Sequence, residues 1–244
     1  MARLAPENAE RRLRRHITSS TTPLRVRNMT KVELSIHLEA SYTISGMGSP
    51  RCAVHGVGIN DSDYMSQPRV NGKQLRDPAY VSWQNMLKRA YGKSTQKCRP
   101  TYIGVTVCEE WLLFSAFREW WLSNYREDWH LDKDLLSVGN REYRPSACIY
   151  IPNRLNNFTA DCGASRGGLP IGVHIHNQTG KFESGCQNQI TGKNVYLGLF
   201  DTKDAAHEAW LKCKLELALE LKPLMDSIDK RVYPNVVTII NSAS

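Results

Sequence analysis

Two carboxylates flank a lysine at Asp132, Lys133 and Asp134, and His130 stands two residues before the first of them. Carboxylate and imidazole groups hold divalent cations and move protons. On an extended strand His130 shares the face of Asp132. Amides follow at Asn140, Asn153, Asn156 and Asn157, and a second imidazole pair stands at His174 and His176. That pair either binds an ion or hydrogen-bonds a partner. The seven cysteines include no Cys-x-x-Cys pair. This argues against a disulfide framework and a zinc ribbon, and suits reduced thiols in a cytoplasmic protein. Cys98, Cys108, Cys148 and His130 are one combination that can still close on zinc.

The elements that must position these groups are only partly regular. The chain has 244 residues, 41% of them hydrophobic, with six tryptophans, enough to bury a core. Its net charge of +8 favours a polyanionic partner. No apolar run approaches the roughly 18 residues that span a bilayer, so no membrane partner is expected. Arg11, Arg12, Arg14 and Arg15 have no apolar stretch behind them and read as a basic arm rather than a secretory signal.

Residues 1–55 look weakly structured, with a short helix over 6–13 and a half-buried strand from the alternation of Val32, Leu34, Ile36 and Leu38. Trp83, Met86, Leu87 and Ala90 follow helical spacing after Pro78. A second helix over 109–125 turns Trp111, Phe114, Phe117, Trp120 and Trp121 inward as core. Residues 102–107 read as a short β segment. Residues 131–158 run strand, loop, strand, helix, and 163–168 read as a linker. Three strands come next, then a long helix capped by Thr202 and ended before Pro223. Val236 to Ile240 reads as an edge strand.

Gly172-Val173, Gly180-Lys181-Phe182, Tyr196-Leu197-Gly198-Leu199-Phe200-Asp201-Thr202 and an Ala205-Ala206 helix run in order near the C-terminus. Residues 168–217 thereby resemble the plant ethylene-response-factor, or APETALA-type, DNA-binding domain, which also occurs in mobile nucleases. The resemblance implies a three-stranded antiparallel sheet packed on one helix, its free face entering the major groove. It places His174, His176, Gln187, Asn194 and Tyr196 at DNA-contacting positions, with Lys181 and Lys193 near phosphates. Several of these positions carry arginine or tryptophan in the family.

Residues 56–166 resemble phage-encoded proteins related to HNH homing endonucleases. The similarity rests on Trp83, Met86, Leu87, Arg89, Tyr91, Val107, Cys108, Glu110, Trp111, the Leu131-Asp132-Lys133-Asp134 run, Gly139-Asn140, Tyr143, Pro145 and Pro152-Asn153. It implies a ββα-metal arrangement holding a single divalent ion, Mg²⁺ by preference, that assists phosphodiester hydrolysis. Asp132 takes one ligand position, Asn140 braces the loop, and Asn153, Asn156 or Asn157 supplies the helix ligand. Lys133 stands where the family places its general-base histidine. A lysine is a poor base at neutral pH, so Asp134 and His130 are alternatives for that role.

The expectation is therefore an α+β chain with an arm at 1–55, an HNH-like domain at 56–166, an APETALA-type domain at 167–222 and a tail at 223–244. Its expected function is a cytoplasmic, sequence-recognising endonuclease acting on double-stranded DNA, with no protein partner implied. The alternative is a catalytically inactive DNA-binding protein, a regulator or mobile-element relic, that uses the C-terminal sheet.

Overall fold

The computed structural model describes residues 26–44, 52–160 and 168–243 and mixes helices with small sheets. They fall into two compact units. One runs up to Glu127 and includes Arg141–Ser146; the other joins Asp128–Asn140 to the residues from Ala147 onward. The boundary expected at 166/167 thus falls inside the second unit. The helix expected over 6–13 and most of the linker over 163–168 lie outside the described residues.

In the first unit, α1 (Lys31–Ser41) opens at Thr30. The Thr30 hydroxyl accepts the Glu33 N–H at 3.2 Å, and the Glu33 carboxylate accepts the Thr30 N–H at 2.9 Å. This reciprocal cap satisfies two donors that a helix start leaves open. It corrects the strand expected from the alternation of Val32 to Leu38: Ser35, Ile36, His37 and Leu38 are consecutive buried residues of a helix.

The hairpin β1 (Arg69–Val70) and β2 (Lys73–Gln74) precedes α2 (Pro78–Tyr91), which buries Trp83, Met86, Leu87 and Ala90 as their spacing predicts. At Gly92 an added Cβ would collide with the Lys88 carbonyl, so a glycine lets the chain turn sharply into α3 (Lys93–Cys98). A 3₁₀ turn at Pro100–Tyr102 leads to β3 (Thr106–Val107), a shorter β segment than the 102–107 reading.

The single helix expected over 109–125 is a 3₁₀ turn at Glu109–Leu112 followed by α4 (Phe114–Asn124). Ile59 causes the break. Its N–H donates to the Leu112 carbonyl at 2.8 Å and its carbonyl accepts the Phe114 N–H at 3.0 Å, taking backbone groups a continuous helix would need. Trp111, Phe114, Phe117 and Trp121 are buried, and the Trp83 indole donates to the Trp111 carbonyl at 2.7 Å.

The chain then gives β4 (Trp129–Asp132) to the second unit and returns with β5 (Glu142–Tyr143), parallel to β3.

In the second unit β4 pairs antiparallel with β6 (Ile149–Pro152), with Asp132 opposite Ile149. The following helix, α5 (Asn153–Thr159), buries Leu155 and Phe158. β7 (Val173–Ile175), β8 (Phe182–Gln187) and β9 (Asn194–Phe200) form an antiparallel sheet in that order. Across one face lies α6 (Lys203–Ile228), capped by the Thr202 hydroxyl, which accepts the Ala205 N–H at 3.2 Å. At Gly172 φ is +80°, and a Cβ there would overlap the Trp210 indole of α6. The Gly-Val start of the sheet is therefore a contact requirement.

α6 continues through Pro223, contrary to the expected stop. A proline costs the helix one N–H to the carbonyl four residues back. That residue, Leu219, is 59% exposed, so water can take its carbonyl. The expected edge strand at 236–240 is instead part of α7 (Val232–Ser242), which buries Val232, Val236 and Ile240. Leu135, Ile151, Leu155 and Phe158 share one core with Cys186, Trp210, Leu217, Met225 and Val236. Hairpin, α5, sheet and tail thus form one body.

The first unit is centred on a buried carboxylate. Asp77 caps α2 through the Ala79 N–H at 2.8 Å, accepts the Ser35 and Tyr64 hydroxyls, and lies 3.8 Å from Arg118 Nε. Asp77→Ala removes a buried charge beside Arg118, which keeps Glu39 and Ser35 as acceptors, and leaves a helix start and two hydroxyls without theirs. It should destabilise the chain by about 3–5 kcal/mol. Urea unfolding followed by tryptophan fluorescence measures this, and a loss under about 1 kcal/mol would deny Asp77 that central place.

Candidate functional site

Asp132 ends β4 and organises the loop that follows. Its Oδ1 accepts the Asp134 N–H at 3.0 Å and the Leu135 N–H at 2.7 Å. A short carboxylate capping the next turn satisfies backbone donors that have left the ladder. Leu135 then enters the core, and its carbonyl accepts Asn235 Nδ2 of α7 at 3.0 Å.

Lys133 Nζ donates to Asp134 Oδ2 at 2.8 Å and to the Asn140 carbonyl at 3.4 Å, while Asn140 Nδ2 donates to the Lys133 carbonyl at 2.6 Å. Lys133 and Asn140 therefore tie the two ends of the loop together. The lysine side chain is only 12% exposed and faces into this clasp.

Burial, and next the charge of Asp134, push the Asp132 carboxyl up to about 6, against the pull of the two backbone N–H groups.

His130 is exposed, opposite Ile151. Asn153 and Asn157 are exposed on α5 and Asn156 is half-buried, whereas Leu155 and Phe158 take the helix's core face. Asp132, Lys133, Asp134 and Asn140 thus come together in one loop, and the α5 amides stand on that helix's outer side. Among the described residues no group of three or more His, Cys, Asp or Glu side chains is placed to hold a metal ion.

The second candidate site is the sheet face turned away from α6. Cross-strand register sets its membership. His174, Glu183 and Leu199 form one row, Gly185 and Tyr196 the next, and Gln187 and Asn194 the last. On the opposite face Val173, Ser184 and Cys186 are buried under the helix. A β-bulge where Ser184 and Gly185 meet β9 shifts the alternation by one residue. Both Tyr196 and Leu199 consequently reach the free face.

Tyr196 is 62% exposed, and His174, Gln187 and Asn194 are exposed beside it. His176 lies beyond β7. Its Nδ1 is 2.9 Å from the Thr179 hydroxyl and its N–H donates to the Lys181 carbonyl at 2.8 Å, so it belongs to the hairpin turn. Lys181 pairs with Asp201 at 2.8 Å, and Lys193 is exposed in the turn before β9. Sequence reading missed Glu183 and Leu199 on this face. Leu199 is hidden by the bulge, which strict alternation cannot register, whereas Glu183 follows from period-two spacing back from Gln187.

No protein-family model, curated protein or solved structure matches the chain.

The Asp132 carboxyl has a definite consequence for pH. A folded-state pKa of about 6 lies above the ordinary value near 4. The stability it contributes is full below about pH 4 and is lost as pH rises through 6. Asp132→Asn retains an Oδ1 acceptor for the loop amides and should flatten the thermal midpoint between pH 4 and 6. If the variant keeps the parent's slope, another group carries that titration.

Proposed function

We propose that this chain binds duplex DNA with the free face of the β7–β9 sheet. One observation carries the reading: His174, Gln187, Asn194 and Tyr196 lie exposed together on the face opposite the helix. The major groove admits a β-ribbon, and Gln and Asn amides pair with the N6 and N7 edge of adenine. Tyr196 and Leu199 add apolar surface suited to thymine methyl groups.

Charge assigns the remaining work. Residues 168–243 carry eight Lys and Arg against eight Asp and Glu, whereas residues 1–55 carry nine against four. The sheet supplies base contacts, and attraction to phosphates comes from elsewhere in the chain.

The test is fluorescence anisotropy on a duplex selected from a randomised pool. Asn194→Ala, Gln187→Ala and Tyr196→Ala should each weaken binding by about 1–3 kcal/mol, roughly 5- to 150-fold. Their effect on a scrambled duplex should be small. A triple variant that binds the selected duplex as the parent does would remove the sheet from the interface.

A second reading, metal-dependent hydrolysis of the bound DNA, is favoured by two carboxyls, Asp132 and Asp134, held in one tied loop. The carboxylate oxygens left for a divalent ion are Asp132 Oδ2 and Asp134 Oδ1, since Asp132 Oδ1 serves two amides and Asp134 Oδ2 accepts from Lys133. Such an ion would polarise a phosphate oxygen. Lys133 is clasped by Asp134 and Asn140, so proton removal would fall to another group, His130 being the exposed one. Supercoiled plasmid with Mg²⁺ or Mn²⁺ should be nicked by the parent and spared by Asp132→Ala. Intact plasmid with every divalent ion leaves the binding reading alone.

A further inference from the structure

The turn from α2 into α3 makes an open pocket of about 460 Å³ in the first unit. Lys88, Arg89 and Arg99 line it, with Asn85, Ser94 and Thr95 between them. Every one of these side chains carries a hydrogen-bond donor, and none is acidic.

Like charges gathered around one concavity repel, and protein surfaces ordinarily relieve this with nearby carboxylates. Here none of the three cations forms an ion pair among the described residues. Arg89 is the decisive member. Its guanidinium lies over the Tyr143 ring, 5.5 Å from the centroid, and its Nε is buried with no hydrogen-bond partner among the described residues. That contact holds the guanidinium beside the pocket in advance. With no carboxylate or other acceptor among the described residues, its terminal N–H groups are left for an anion in the pocket.

We infer that this pocket is a binding site for a phosphate group. A phosphate offers several oxygens to one guanidinium fork, the two flanking cations and the Ser94 and Thr95 hydroxyls. The owner of that phosphate is the DNA backbone, an assignment that rests on the duplex-binding reading above. Two features support it: the pocket is open, and the residues from 168 onward contribute no net positive charge.

The experiment has two arms on the full chain. In the first, Lys88→Gln combined with Arg99→Gln is compared with a control of equal charge, Lys73→Gln combined with Arg126→Gln. All four positions are exposed, so both double variants should fold. The pocket variant should bind duplex DNA about 5- to 10-fold more weakly than the control. Its log–log salt slope should be smaller by about one. In the second, pyrophosphate is titrated while the Arg89 Nε–Hε resonance is followed by NMR. That resonance should move in the parent, and Arg89→Lys should abolish pyrophosphate binding while keeping the charge.

Equal DNA binding by the two double variants together with a motionless Arg89 signal overturns the inference. A moving signal with equal DNA binding upholds the phosphate site and overturns its assignment to DNA. A parent that binds no duplex sinks the DNA reading, and the pyrophosphate arm still decides the pocket.

Discussion

One face of α6 must satisfy three partners at once, and the second unit depends on that constraint. Ala206, Trp210, Lys214, Leu217, Ala218, Leu221 and Met225 repeat at steps of three and four along 26 residues, a rod of roughly 39 Å. The first turns lie under the sheet, where Trp210 fills the space that only glycine leaves at position 172. The middle reaches α5 through Lys214, whose ammonium stands 3.8 Å above the centre of the Phe158 ring. Burial holds the pKa of that lysine below its ordinary value, and the ring face partly offsets the lost hydration. The last turns share a core with Val232, Val236 and Ile240 of α7. Removing any one partner would expose part of a stripe that neither other partner can cover.

This sharing explains which parts of the fold were legible in the sequence. Elements stabilised by local chemistry could be read directly. Asp77 and Pro78 announce α2, Thr202 announces α6, and the Gly-Val and Leu-Gly-x-Phe-Asp-Thr runs mark the sheet. Elements decided by distant packing could not. Val236 to Ile240 is rich in β-branched residues and looks like a strand, yet burial at i, i+4 and i+8 makes it a helix. Pro223 looks like a stop, yet Leu221 and Met225 are buried on either side and carry the helix past it. The first helix shows the opposite failure. Its signal, Thr30 followed three residues later by Glu33, was present in the sequence but hidden by an alternation of apolar residues.

The Asp132 loop was legible in composition and not in geometry. Residue types at 130–134 and 140 suggested ion chemistry, and four of them do converge. The sequence could not show how their hydrogen-bonding capacity is divided. One oxygen of Asp132 holds two backbone amides, Lys133 spans the loop, and Asn140 closes it. The groups that would bind an ion are therefore the ones that hold the loop together. The same loop delivers Leu135 to the core shared with α6. A loop so tied has a fixed geometry, and fixed geometry is what a metal site needs from its first ligand.

The segment from residue 168 carries no net charge, and this bears on the proposed DNA-binding reading. Residues 168–200 contain no arginine, and the free face offers His174, Gln187 and Asn194 instead. Such groups discriminate bases through directional hydrogen bonds but attract no phosphate at a distance. Glu183 in the middle of the same face makes close approach to a polyanion costly unless a base edge donates to it. An amino group of cytosine is such a donor, and a phosphate is not. Under the proposed function the face would hold DNA poorly without the right bases and would serve to choose among sequences. Long-range attraction would then fall to the arginine-rich residues before 28 and to cations such as Lys88, Arg89 and Arg99. On the proposed reading, separating attraction from choice in this way would make affinity strongly salt-dependent, while leaving the ranking of sequences nearly independent of salt.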